Sequence, residues 1–119
     1  MNDLALIIED DEDLAAIFSL ALQKSNYRVE IIKDGLSAQR RLLQVVPCVV
    51  VLDMHIPYLS GADILKQIRS DERLKKTAVV IATADARMGE AFTDTADFVL
   101  IKPIAFSQLR DLTARLHRI

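Results

Sequence analysis

The sequence has one cysteine, little net charge and no long apolar run. Cys48 cannot form an intrachain disulfide, which fits a reducing compartment such as the cytoplasm. Fifteen basic and 17 acidic side chains give a formal net charge of −2, which is not the basic character typical of direct nucleic-acid binding. No apolar stretch reaches the roughly 18 residues that span a bilayer, and residues 1–3 lack a basic signal-peptide start. These absences predict a cytoplasmic protein that binds neither membranes nor nucleic acid directly.

Linkers, repeats and low-complexity segments are also missing. The chain has 119 residues, of which 51% are hydrophobic, so it is long enough and apolar enough to build a core of its own. The sequence therefore predicts a single domain over residues 1–119.

Five short apolar runs alternate with five stretches of helical spacing. The predicted strands are 4–8, 28–32, 48–52, 78–82 and 98–101. The predicted helices are about 12–25, 36–46, a third around Ile64, Leu65 and Ile68, a weak one at 86–94 and a last one at 105–117. Strands without polar alternation are typical of a parallel sheet that helices cover on both faces. The pattern predicts an α/β fold with one doubly wound five-stranded parallel sheet.

Side chains able to do chemistry come directly after four of these strands. They are Glu9 and Asp10 after the first, Asp53 after the third, Thr83 after the fourth and Lys102 after the fifth. In open parallel sheets the ligand site lies beyond the carboxyl ends of the strands. We therefore expect three carboxylates, one hydroxyl and one ammonium to meet at one edge of the sheet.

Such a cluster suits a divalent cation and a phosphoryl group. Neighbouring carboxylates disfavour each other's ionisation unless a cation compensates them. Mg²⁺ prefers carboxylate oxygens together with water and phosphate, and Mn²⁺ is a second candidate. A lysine and a hydroxyl can bind phosphoryl oxygens, and an aspartate can itself be the nucleophile.

Four segments in this order, IIEDD, LDMHIPYLSG, IATA and LIKPI, resemble the receiver domain of two-component response regulators. The resemblance covers essentially the whole chain. No single motif is decisive, but the combination is highly specific. It implies a flavodoxin-like strand order of 2-1-3-4-5.

The resemblance also implies a role for each strand-end residue. Asp53 matches the phosphoacceptor. Glu9 and Asp10 match the metal-binding acids, which act together with Asp53 and the backbone carbonyl of His55. Thr83 matches the switch hydroxyl, and Lys102 matches the ammonium that contacts phosphate. A cis peptide is common in the family before the proline that matches Pro103.

The implied function is phosphorelay signalling. A histidine kinase, or a phosphotransfer protein, would donate a phosphoryl group from a phosphohistidine to Asp53 in the presence of Mg²⁺. The domain would assist its own phosphorylation and slow dephosphorylation without being an enzyme in the usual sense. Phosphorylation would then switch its interactions with an output domain or a partner protein.

Acidic and imidazole groups near the site also have simpler interpretations. Asp11, Glu12 and Asp13 are predicted to be favourable charges at a helix N-terminus rather than ligands. The His55 side chain is predicted to be a partly exposed loop residue rather than a catalytic base.

Two departures from the family pattern concern the end of the chain. Receivers usually carry tyrosine or phenylalanine three residues before the lysine, where this chain has Val99. Phe98 is the neighbour of that position, and adjacent strand residues point to opposite faces. The segment between Thr83 and Lys102 is also about one helical turn short of the family pattern, which predicts a shortened fourth helix.

Three other functions were considered. A flavodoxin-like electron carrier needs a Gly/Ser/Thr-rich phosphate loop after the first strand, where this chain has acids. An aspartyl-phosphate hydrolase usually has a second acid two residues after its nucleophile, where this chain has His55. A receiver-like interaction module that acts without phosphorylation stays open as the alternative.

Overall fold

The structure, a computed structural model, describes residues 3–116, in which five strands alternate with five α-helices. The strands are β1 (Leu4–Ile8), β2 (Arg28–Ile32), β3 (Val49–Leu52), β4 (Ala78–Thr83) and β5 (Phe98–Ile101). The α-helices are α1 (Glu12–Lys24), α2 (Gly35–Leu42), α3 (Gly61–Ser70), α4 (Ala86–Ala91) and α5 (Phe106–Leu116). A short 3₁₀-helix, Glu72–Leu74, follows α3.

The strands form one parallel sheet in the order β2-β1-β3-β4-β5. Ile8 at the end of β1 lies between Ile32 of β2 and Leu52 of β3, and Thr83 pairs with Ile101. One core layer lies under α2, α3 and α4, and the other lies under α1 and α5. The predicted fold and strand order are confirmed.

Burial of the strands follows their position in the sheet. The central strands β1, β3 and β4 are buried along almost their whole length. The edge strands β2 and β5 have exposed residues at several positions. The prediction of strands buried on both faces is therefore correct for the centre of the sheet and wrong for its edges.

Three boundaries differ from the predictions. Helix α2 ends at Leu42 rather than near residue 46, because Leu43 and Val46 are 65% and 44% exposed and add nothing to its buried face. The 3₁₀-helix was not predicted, although its Leu74 is fully buried. The expected end of the last helix at residue 117 lies outside the described residues.

Side chains cap the helices that begin near the carboxyl edge of the sheet. The Asp11 carboxylate accepts hydrogen bonds from the backbone N–H groups of Asp13 and Leu14 and so caps α1. Ser60 and Asp63 form a reciprocal capping box at α3. The predicted N-terminal role of the acids after β1 is thus confirmed for Asp11, Glu12 and Asp13.

Helix α4 is only six residues long, which confirms the predicted shortening. The turn that follows it is tied to α3 by Arg69. The guanidinium of Arg69 donates to the carbonyl oxygens of Thr95 and Thr77 and to the carboxylate of Asp97, at 2.8, 3.1 and 2.8 Å. Asp97 in turn accepts the backbone N–H of Val79 in β4. These bonds fix the turn against the sheet although the helix before it is short.

Within residues 3–116, every helix is too short or too polar to cross a bilayer.

Candidate functional site

Two neighbouring strands bring three carboxylates together. The backbone N–H of Glu9 donates to Ile32 at 3.0 Å, and that of Asp53 donates to Ile8 at 3.0 Å. The sheet bonding therefore continues one residue past each strand and fixes where the acidic side chains start. Each of Glu9, Asp10 and Asp53 has a carboxylate oxygen, and these oxygens lie within 4.8 Å of one another.

The three acids differ in burial. Glu9 is 2% exposed and Asp53 is 7% exposed, whereas Asp10 lies at the surface. An all-oxygen donor set of this size, with one member facing solvent, fits a hard divalent cation that keeps part of its water. The structure thus brings the predicted acids together, and their role as metal ligands stays a prediction.

Lys102 lies between the two buried acids. Its Nζ is 2.6 Å from Oε1 of Glu9 and 3.4 Å from Oδ2 of Asp53. The backbone N–H of Lys102 bonds the carbonyl of Thr83, and the predicted cis peptide before Pro103 is present. The end of β5 therefore directs this ammonium to the carboxylates, as the sequence predicted.

Burial and ion pairing shift the ionisation of this pair. Burial raises the pKa of Glu9 above its ordinary value, although the hydrogen bond from Lys102 acts in the opposite direction. Burial alone would lower the pKa of Lys102, but its hydrogen bond to Glu9 and the charge of Asp53 outweigh that effect and raise the pKa. The ammonium is therefore held in its charged form next to the carboxylates.

His55 contributes its backbone to the site and its ring to the rim. The His55 backbone N–H donates to Oδ1 of Asp53 at 3.2 Å. The His55 side chain is 60% exposed, and its Nε2 lies 3.2 Å from Oδ2 of Asp85. The prediction of a partly exposed loop residue is confirmed, whereas the backbone carbonyl as a metal ligand stays a prediction.

Asp85 is a site residue that the sequence reasoning missed. Its carboxylate caps α4 through the backbone N–H of Met88 and also contacts His55. Both contacts lower the pKa of Asp85, the bond from Met88 more strongly than that from His55. An aspartate directly before a helical pattern is a capping signal that could have identified it.

Thr83 ends β4 beside the acidic cluster and is fully buried. Its Oγ1 accepts the backbone N–H of Asp85 at 3.1 Å, and a hydroxyl that accepts one bond can still donate another. Thr83 therefore links the end of β4 to the start of α4. Its predicted role as a switch stays a prediction.

The exposed acid offers a direct test of crowding at the site. Asp10 has no ion pair among the described residues, while Lys102 offsets the charges of Glu9 and Asp53. We expect Asp10→Asn to raise the melting temperature without metal, because it removes an uncompensated repulsion. Wild type should gain about 1.4 kcal/mol of stability when Mg²⁺ is tenfold over its dissociation constant, and the variant should lose most of this gain. Calorimetry with and without chelator measures both, and a lower melting temperature for the metal-free variant would contradict the crowding.

Comparison with known proteins gives one family. The family model for the response regulator receiver domain matches residues 5–114. The DNA-binding dual master transcriptional regulator RpaA of Synechocystis sp. is 30% identical over 121 residues, which cover 96% of this chain and 50% of that protein. The chain thus spans about half the length of this relative.

Solved structures agree in fold. The magnesium-bound receiver domain of the sensor histidine kinase PA1611 from Pseudomonas aeruginosa has a TM-score of 0.85 at 23% identity and covers 98% of each chain. The manganese-bound response regulator Rcp1 has a TM-score of 0.85 at 22% identity, with 98% of this chain and 96% of that chain covered. At these identities the likeness extends to the fold alone.

Proposed function

The chain belongs to the response regulator receiver domain family, and we propose that it accepts a phosphoryl group on Asp53. Family membership supports phosphorelay signalling in general. The observation that carries the specific proposal is the position of Asp53, which is buried at the end of β3 with one carboxylate oxygen bonded to Lys102 and the other to the backbone of His55. Both bonds orient the carboxylate and leave it accessible at the edge of the sheet.

The transfer step follows from that geometry. An Asp53 carboxylate oxygen attacks the phosphorus of a phosphohistidine on the donor protein. The bond between phosphorus and the imidazole nitrogen breaks, and the nitrogen keeps the electron pair and takes a proton from solvent. The Lys102 ammonium is 3.4 Å from Asp53, so it can follow the negative charge onto the phosphoryl oxygens.

The residues that would hold a divalent cation are Glu9, Asp10, Asp53 and the backbone carbonyl of His55. A bound Mg²⁺ or Mn²⁺ would neutralise the carboxylates and the incoming phosphoryl charge. The support is the oxygen-only cluster, together with the metal ions of the PA1611 receiver and of Rcp1.

Thr83 is the group that would respond to the phosphoryl group. Its hydroxyl can donate to a phosphoryl oxygen, a charge-assisted bond of about 1.5–3 kcal/mol. Because Oγ1 of Thr83 also holds the N–H of Asp85, this movement would be passed to the beginning of α4. Phosphorylation would then shift the population between two conformers.

The partners on either side of this step are proposed by class. A histidine kinase or a phosphotransfer protein would supply the phosphoryl group, and an output domain or a partner protein would read the result. The relative RpaA is described as DNA-binding, and this chain spans half of it. The absence of direct nucleic-acid binding is therefore a prediction for residues 1–119 only.

Intact mass after incubation with acetyl phosphate tests the proposal. We expect wild type to gain one phosphoryl group with Mg²⁺ and none with a chelator, because the three carboxylates then keep their full negative charge. Asp53→Asn, which has nearly the same shape but is not a nucleophile, should gain none under either condition. If wild type binds Mg²⁺ but never gains the mass, the phosphorylation-independent module becomes the better interpretation.

A further inference from the structure

A groove runs between α3 and the turn that follows α4. It encloses about 400 Å³, within the range of ligand-binding clefts, and its surface is mostly apolar. The apolar wall is formed by Ala62, Leu65 and Phe92. The groove is present because α4 ends at Ala91, and its far wall is fixed by the bonds from Arg69 to Thr95 and Asp97.

The α3 side of this groove is a complete helical face. Ala62, Leu65, Lys66 and Arg69 are spaced by three, one and three residues and all line the groove. This spacing is that of a contact stripe between two helices. The groove is therefore shaped to receive a helix that lies along α3.

The charges around the groove select the kind of helix. Arg69 is paired with Asp97, and the carboxylate of Asp63 is bound to Ser60 at the positive end of α3. Lys66 is exposed and has no ion pair among the described residues. The rim thus offers one free cation beside an apolar floor.

The groove is also connected to Thr83. Gly89 lies so close to β4 and β5 that an added Cβ would meet Cγ2 of Thr83 at 3.3 Å. The backbone N–H of Phe92 bonds the carbonyl of Gly89 at 3.1 Å. Thr83 and Phe92 therefore contact opposite ends of the same short helix.

We propose that an acidic amphipathic helix of an output partner docks in this groove, with an apolar side chain between Leu65 and Phe92 and a carboxylate on Lys66. Because α4 forms one wall, movement of Thr83 changes the affinity, and this coupling rests on the proposed phosphorylation of Asp53. By reciprocity, the partner helix also changes the equilibrium between the two conformers of the receiver.

Binding of designed peptides tests the docking. The probe is a helical peptide of about 15 residues, four turns long, with leucines three and four apart and glutamates beside them. A control peptide has lysine in place of each glutamate. We expect the acidic peptide to bind wild type at least about fivefold more tightly at low salt, and Lys66→Glu to reverse this order. Lys24→Glu, the same charge change on α1 across the sheet, should leave the order unchanged.

Amide shifts locate the contact on the chain. Changes at residues 62–69 and 89–95 support the proposal. Saturable binding without those changes, binding that Lys66→Glu does not affect, or no binding at all overturns it. A dimer of the chain that forms without peptide and is lost in Lys66→Glu also overturns it, in favour of a second copy as the occupant.

Phosphorylation is tested separately on the same proteins. After treatment with acetyl phosphate and Mg²⁺, the peptide affinity should change in wild type and stay constant in Asp53→Asn. If intact mass shows no phosphoryl group, the proposed function fails while the charge-dependent docking is still decided by the untreated proteins. A phosphorylated chain with unchanged affinity overturns the coupling to Thr83.

Discussion

Replacing Lys102 with methionine is expected to lower the free energy of unfolding by about 3–5 kcal/mol in the absence of Mg²⁺. Methionine keeps the length of the side chain but leaves Glu9 and Asp53, 2% and 7% exposed, without their common cation. Desolvation already raises the pKa of Glu9, and the loss of its partner raises it further. Protonation of Glu9 will therefore limit the loss, and denaturant unfolding with chelator measures what is left.

The pH dependence of this variant has a definite sign. A carboxyl group with a raised pKa in the folded state binds protons more readily there than in the unfolded chain. The variant should consequently gain stability as the pH falls from neutral toward the ordinary glutamate pKa of 4.5. Mg²⁺ should restore part of the stability at neutral pH, because it compensates the same two carboxylates.

The control for this experiment is an exposed ion pair. Lys33 is paired with Glu12 on the surface, with side chains 55% and 77% exposed. Lys33→Met should change stability by less than about 1 kcal/mol and should not alter the effect of Mg²⁺. Equal losses in the two lysine variants would contradict the view that Lys102 compensates buried charge.

The positions of the site residues could be predicted because they depend on strand ends. In a parallel sheet every strand delivers its next residue to the same edge, so Glu9, Asp53 and Lys102 converge whatever their distance in sequence. The strand order itself came from the resemblance to receivers, since apolar runs do not reveal which strands are neighbours. The five acids after β1 could likewise be divided into site and capping groups, because Asp11 precedes a clear helical pattern.

Features that depend on the exact path of loops could not be predicted. Asp85 contacts His55 only because two loops approach each other at the rim of the site. The groove beside α3 depends on where the chain turns after Ala91, and the anchoring bonds from Arg69 join segments 26 and 28 residues apart. The extension predicted for α2 failed because the spacing of Leu43 and Val46 does not reveal that both face solvent.

Val99 occupies the position where receivers usually carry an aromatic ring, and the structure indicates how α4 fits it. Val99 packs on the core face with Met88 and Phe92, whereas Phe98 is 40% exposed, which confirms that they lie on opposite faces of β5. A Cβ on Gly89 would lie only 2.8 Å from Cγ1 of Val99. Helix α4 therefore rests directly on a β-branched residue that has one stiff torsion.

A pair of substitutions tests this contact. Gly89→Ala alone should destabilise the protein by about 1 kcal/mol, because overpacking against Val99 outweighs the gain in helix propensity. In a Val99→Ala background the same change should stabilise by up to about 1 kcal/mol, since the clash is gone. The coupling energy of about 2 kcal/mol from denaturant unfolding is the readout, and additive effects would mean that α4 is not held by this contact.

The same contact leads to the last prediction, which concerns where phosphorylation changes the molecule. Val99 has no ring to swing inward when Thr83 moves, and Gly89 leaves α4 no space to follow by rotating over β5. We expect a phosphate mimic on Asp53 to change hydrogen exchange strongly in residues 54–60 and 83–90, the loops around His55 and Thr83 and the start of α4. Residues 97–101 should change little, and Asp53→Asn should show neither effect. Equally large changes across 97–101 and the beginning of α5 would contradict this, and would mean that Phe98 or the β5 backbone performs the movement that the ring performs in other receivers.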